Sequence, residues 1–264
     1  MQARRVVSSS LLLLWISVTS PVNAQAGGYF QVLYDTTTPV SAAYQTDMGY
    51  AVFVSYDGVN LLLDTGADPS ILRGNMRAAG IEPADLDMVA ISHSHFDHAG
   101  GLAFIREAAA ELPVYSAPGE RLDGGALQYI DAHLQITPNL YLIRTHTDTP
   151  TSGIADELSL LIKTRRGPYL ITACSHTGVA AILDRAEAIA GRSMYYYTGG
   201  ARLNFRPSQD TLETARLFKQ HSVAHVSPGH CSAGHQVAAT FQREFDDGYV
   251  SSRLGEKVAL QPPH

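Results

Sequence analysis

Apolar positions along the chain repeat with two different periods, and the change from one to the other sets out its elements. Residues 29–34 alternate, residues 51–56 are apolar and β-branched, and residues 60–64 close a third apolar run. These are three strands, with the turn signal Asp57-Gly58 between the last two. Residues 70–79 carry a helical pattern, with Asp68 or Ser70 as its cap and Gly80 as its stop. A buried strand is predicted over 86–92 and an alanine-rich helix over 102–112. Further strands are predicted at 113–115, at 140–145, and at 158–163 and 169–173 on either side of Arg165-Arg166-Gly167. Residues 179–190 and 211–221 read as helices, and 223–226 as a last short strand. Strands come in clusters with helices between them, which predicts an α/β protein of two sheets covered by helices. No repeat or linker follows residue 25, so 25–264 reads as one domain.

Residues 1–24 depart from this pattern. Arg4 and Arg5 precede the short apolar run 11–18, then Pro21 and the small-residue pattern Val22-Asn23-Ala24, which is the order of an export signal. The run is shorter than the roughly 20 apolar residues that span a bilayer. Cleavage after Ala24 is expected to release a periplasmic or secreted domain without membrane association. It removes two arginines and no acid, so the net charge moves from −6 to −8. That charge argues against a nucleic-acid partner, which requires a basic face. A composition of 45% hydrophobic and 17% charged residues excludes a disordered chain or a coiled coil. Two cysteines cannot frame a disulfide-built mini-domain. A small molecule is the partner class left, with the oligomeric state open.

Eleven histidines are the surplus. The strand 86–92 runs into Ser92-His93-Ser94-His95-Phe96-Asp97-His98-Ala99-Gly100-Gly101. His93 and His95 are two apart, so on extended backbone they point to the same side. Asp97 and His98 follow where the chain turns toward the next helix and can aim at a second point nearby. Gly100 and Gly101 let the backbone pass close to whatever fills the site. Three imidazoles and a carboxylate within six residues suit zinc, with iron or manganese as alternatives.

The motif His93-x-His95-x-Asp97-His98, preceded by Leu61-Leu62-Leu63-Asp64-Thr65-Gly66 and a helix, resembles the metallo-β-lactamase superfamily. Thr172-Ala173-Cys174-Ser175-His176-Thr177-Gly178, Thr198-Gly199-Gly200 and Ser227-Pro228-Gly229-His230-Cys231 resemble one branch, the hydrolases related to dihydropterin ribofuranosyl-aminobenzene phosphate synthases. The resemblance implies a four-layer αββα sandwich with one or two metal ions, zinc or else iron or manganese, where the sheets meet. It implies that His93, His95 and a third histidine hold one metal and that Asp97, His98 and His230 hold the other. His176 is the expected third histidine and His146 its rival. The resemblance also makes Asp64 the residue that orients a ligand histidine, and Asp97 and His98 part of the catalytic apparatus.

The chain departs from the family at two places. Many two-metal members bridge the ions with a strand-end aspartate, where this chain has Ala173-Cys174; Cys174 is either a thiolate ligand or a small buried residue. Cys174 and Cys231 both flank proposed ligands, and a disulfide between them stays open. The branch's Gly-Gly-Phe-His becomes Gly199-Gly200-Ala201-Arg202, and Arg202 suits a carboxylate or phosphate on a substrate. The expected function is hydrolysis of an ester, lactone, amide or phosphoester by a metal-activated hydroxide. An iron-dependent dioxygenase on the same sandwich and a non-catalytic metal-binding module are the alternatives.

Overall fold

The computed structural model describes residues 27–119, 122, 127–150, 152–204, 206 and 208–263. The export signal expected over 1–24 lies outside them. Among the described residues thirteen strands follow in chain order: β1 (Tyr29–Tyr34), β2 (Ala51–Tyr56), β3 (Val59–Leu63), β4 (Met88–Ile91), β5 (Val114–Ser116), β6 (Leu127–Tyr129), β7 (His133–Thr137), β8 (Leu140–His146), β9 (Asp156–Thr164), β10 (Gly167–Thr172), β11 (Tyr196–Gly199), β12 (His225–Pro228) and β13 (Lys257–Ala259). They form two sheets, ordered β13-β1-β2-β3-β4-β5-β6 and β12-β11-β10-β9-β8-β7. The helices are α1 (Pro69–Ala79), α2 (Phe96–Ala99), α3 (Leu102–Ala108), α4 (Val179–Ala190), α5 (Ser208–Gln220) and α6 (His235–Phe245).

Alternation within apolar runs builds the layers. Leu61 and Leu63 face the space between the sheets with Leu158, Leu160, Ile162 and Ile171, while Leu62 faces the opposite way toward Leu72, Met76 and Ile105 of α1 and α3. Leu161 and Leu170 turn outward onto Ile182, Leu183, Phe218 and Phe241 of α4, α5 and α6. Strands buried on both faces read as continuous apolar runs, which is why Leu61-Leu62-Leu63 is unbroken. The result is the αββα sandwich. Asp68 caps α1, accepting from Ser70 N at 2.7 Å and Ile71 N at 3.2 Å, and Gly80 ends it at φ 70°. The helix expected to reach residue 112 stops at Ala108, because Ala109 leaves the helical region at φ −147° and ψ 72°. Strands β6, β7 and β13 and helix α6 add to the sequence reading. No helix among the described residues is long and apolar enough to cross a membrane.

Strands β3 to β6 run parallel, as do β10 to β12. Their C-terminal ends therefore share one edge of each sheet, and loops from both sheets meet there. Leu158 N–H of β9 donates to Ser92 O at the end of β4, 2.9 Å away, tying the sheets together at that edge.

Candidate metal centre

Each chemically distinctive side chain of the centre leaves a strand end at this edge. His93 and His95 follow β4, and one turn of helix, α2, turns Asp97 and His98 inward. Cys174 and His176 follow β10; His230 and Cys231 follow β12. The α2 backbone is fixed from the loop after β3: Thr65 N–H and Oγ1 both donate to His98 O, at 2.7 and 2.9 Å. That loop presses closely on the residues after α2. A Cβ on Gly100 would lie 2.1 Å from Ala67 O, and one on Gly101 2.3 Å from Thr65 O. The two glycines thus serve loop packing, a correction to the reading that they make room for what the site holds.

His93 Nε2 lies 3.1 Å from His95 Nδ1 and 3.1 Å from His176 Nε2. Burial, reinforced by the neighbouring imidazoles, holds His93 well below the usual histidine range, so its ring is neutral. Its tautomer follows from the next shell of contacts. Ser92 Oγ donates to Asp64 Oδ2 at 2.8 Å and so accepts from His93 Nδ1–H at 2.9 Å. The bare Nε2 is left facing two other imidazole nitrogens, and a ring proton on either can satisfy only part of the trio. A cation at their centre satisfies all three.

A second group stands beside it. Asp97 Oδ2 lies 3.5 Å from His98 Nε2 and 3.5 Å from His230 Nε2. His98 Nδ1 meets Asp64 Oδ2 at 2.7 Å, and Asp64, fully buried at φ 59°, also accepts from Ser92 N at 2.6 Å. Burial alone would lower the His98 pKa; the adjacent Asp64 carboxylate outweighs it and the net direction is upward. His230 is held well below the usual range by burial and by repulsion from His98. Within each group the ligand atoms lie within 4.8 Å of one another. Three imidazoles in one, two imidazoles and a carboxylate in the other, are donor sets that fit a transition-metal ion.

Two buried carboxylates outside the sequence reading hold the loops. Asp35, directly after β1, accepts from His230 N at 3.1 Å and from Thr36 N at 2.6 Å, pinning His230 in a left-handed backbone at φ 47°. Burial raises its pKa to about 6 against those hydrogen bonds. Glu157 of β9 accepts from Cys174 N at 3.1 Å, Ser175 N at 2.9 Å and Thr177 N at 3.4 Å, fixing the loop that carries His176; burial raises its pKa to about 7. The signal for Asp35 was present in the sequence, an acid ending an apolar strand as Asp64 does. Glu157 gave none that separates it from a surface glutamate.

Other expected residues fall as follows. His146 ends β8 with its ring turned outward, Nδ1 on Asp156 at 2.9 Å and Nε2 on Asp148 at 3.2 Å. It joins neither group; His176 is the histidine that gathers with His93 and His95, and His146 is corrected to a surface ion-pairing residue. Cys174 and Cys231 are free thiols, not a disulfide. Arg202, at φ 53°, donates from Nη1 to Ser152 Oγ at 3.0 Å and stands against His176 Nδ1. Burial, and then this guanidinium, push the His176 pKa down to about 3. A cavity of about 500 Å³ opens over both groups, and Met48, Asn204, Arg202 and Arg206 form part of its wall.

Sequence and structure comparisons agree with this fold. The family model of the metallo-beta-lactamase superfamily matches residues 44–185, which run from β2 into α4 and include five of the six ligand candidates. The chain belongs to the metallo-β-lactamase superfamily. Among relatives of this superfamily chain, the 7,8-dihydropterin-6-methyl-4-(beta-D-ribofuranosyl)-aminobenzene-5'-phosphate synthase of Methanocaldococcus jannaschii is 23% identical over 265 residues, covering 81% of this chain and 90% of the synthase. An N-acyl homoserine lactonase of a Bacillus species is 31% identical over 152 residues, 53% of this chain and 57% of the lactonase. The crystal structure of Tm1679, a metal-dependent hydrolase of the beta-lactamase superfamily, superposes with a TM-score of 0.76 at 24% identity, covering 89% of this chain and 99% of Tm1679. It shows the same fold.

Proposed function

We propose that this protein is a metal-dependent hydrolase of a small-molecule ester, lactone, amide or phosphoester. One metal position is formed by His93, His95 and His176, the other by Asp97, His98 and His230. The observation that carries the reading is the convergence of these two groups, with the His93 and His98 rings fixed from behind by Ser92 and Asp64, on the floor of one open cavity. Zinc suits both donor sets. When bound, such ions supply a water acidic enough to react at neutral pH and a Lewis acid for the oxygen that gains charge. Asp97, the one carboxylate among the six residues, is 16% exposed and turns Oδ2 toward His98 Nε2 and His230 Nε2. Asp64 and Ser92 keep His98 and His93 with their Nε2 lone pairs inward. Arg202 and Arg206 in the wall favour a substrate bearing a carboxylate or phosphate. The leader pattern in residues 1–24 supports export of the enzyme to the periplasm or medium.

The test is hydrolysis of a panel of ester, lactone, amide and phosphodiester substrates, each in anionic and neutral form, by the metal-stripped and the zinc-reconstituted protein. Activity restored by zinc, faster on anionic members, and lost in His93→Ala and Asp97→Ala is the expected result. Full activity of either folded variant contradicts the assignment, and stoichiometric iron in the purified protein favours dioxygen chemistry instead.

A further inference from the structure

A residue outside both ligand groups touches two histidines of the first group from behind. Ser152 lies on the loop that joins β8 to β9 and forms part of the cavity wall. Its carbonyl oxygen lies 3.3 Å from His95 Nε2, and its hydroxyl oxygen lies 2.5 Å from His176 Nδ1. Arg202 Nη1 donates to the same hydroxyl at 3.0 Å.

These contacts constrain protons as well as positions. A carbonyl only accepts, so His95 carries its proton at Nε2 and turns a bare Nδ1 toward His93 Nε2, 3.1 Å away. Two tautomers are open to His176. With the proton on Nε2, the ring donates to His93 Nε2 at 3.1 Å, and Nδ1 accepts from the hydroxyl or the guanidinium. With the proton on Nδ1, Nε2 offers a lone pair beside those of His93 Nε2 and His95 Nδ1, and Nδ1–H needs an acceptor. Arg202 has donors only, and its charge repels a proton at that nitrogen. The Ser152 hydroxyl both donates and accepts, and among the described residues it is the acceptor standing at His176 Nδ1. Ser92 serves His93 in the same way, with Asp64 fixing the direction of its hydroxyl.

We infer that Ser152 is the positioning residue of the three-histidine position. Its carbonyl holds His95 with Nδ1 inward, and its hydroxyl, by accepting from Nδ1–H, lets His176 turn its Nε2 lone pair to the same point. The inference rests on the ligand group proposed above and adds how His95 and His176 are set in their ligating form. Removing the outer hydrogen-bond partner of a ligand histidine costs about 10–100-fold in metal affinity.

The test uses the full chain with ¹⁵N-labelled histidine, stripped of metal and then titrated with Zn²⁺. Chelator competition reads zinc affinity, and long-range ¹H–¹⁵N spectra read which ring nitrogen carries each proton. In the zinc-loaded wild type, His95 is expected to be protonated at Nε2 and His176 at Nδ1. Ser152→Ala leaves the carbonyl in place, so it isolates the hydroxyl; it should weaken one zinc position by about 10–100-fold and leave the other unchanged. Ser152→Thr keeps the hydroxyl and should bind zinc as the wild type does. Where Ser152→Ala fails to fold, Ser152→Thr and the wild-type spectra decide. Unchanged zinc affinity in folded Ser152→Ala overturns the inference, as does a Ser152→Thr protein as weak as Ser152→Ala. A zinc-loaded wild type with the His176 proton on Nε2, or the His95 proton on Nδ1, also overturns it. A wild type that binds no zinc overturns it together with the ligand group. Inactivity on the substrate panel changes neither the affinities nor the spectra, so the hydrolase reading and the role of Ser152 fail separately.

Discussion

Replacing Asp64 by asparagine should weaken both metal positions, although the residue touches only one ligand directly. Asp64 Oδ1 accepts from Ser92 N at 2.6 Å; Oδ2 accepts from His98 Nδ1 at 2.7 Å and from Ser92 Oγ at 2.8 Å, and that hydroxyl in turn accepts from His93 Nδ1. In Asp64→Asn the carbonyl stays with the backbone N–H of Ser92, which cannot move its proton, and the amide nitrogen replaces Oδ2. Facing a new donor, His98 must shift its proton to Nε2, and Ser92 Oγ must reverse, which shifts the His93 proton to Nε2 as well. Each inward lone pair is then lost. Removing such an outer hydrogen-bond partner costs about 10–100-fold in metal affinity, which is about 1.4–2.8 kcal/mol at each position. Chelator competition on the variant measures both affinities, with thermal unfolding of the metal-free form as control for folding. Wild-type affinity at both positions refutes the orienting role. A loss confined to one position refutes the relay through Ser92.

Two other substitutions test the supports of the centre. Gly101→Ala places a Cβ 2.3 Å from Thr65 O, a backbone atom that cannot rotate away, and should destabilise the fold by about 1–3 kcal/mol in denaturant unfolding; an unchanged midpoint contradicts the packing role. Glu157 has its pKa raised from 4.5 to about 7, so the folded state binds more protons than the unfolded one between those values. Its contribution is therefore most favourable at low pH and is lost as pH rises through that window, by roughly 3 kcal/mol. Metal-free Glu157→Gln should gain stability relative to wild type as pH goes from 5 to 8; a pH-independent difference contradicts it.

The fold and the first ligand cluster were legible because they are local. The Leu61–Leu63 run, the Asp68 and Gly80 ends of α1, and the four ligand candidates between residues 93 and 98 are all carried by short-range pattern. The choice between His146 and His176 was not local: both follow apolar strands at the same edge, and only the pairing of His146 with Asp156 across β8 and β9 turns its ring away. Glu157 sits in a strand as fully buried as its neighbours, and only the assembled loop of Cys174 to Thr177 explains its burial. Short edge strands such as β6 and β13 escaped because half-exposed three-residue segments carry too little periodicity to register.

Metal stoichiometry of the purified protein beside three single variants tests the central claim most directly. The account predicts two equivalents in the wild type and in His146→Ala, and the loss of one equivalent in His176→Ala and in Asp97→Ala. A His176→Ala protein that keeps its full metal while His146→Ala loses it would contradict the account.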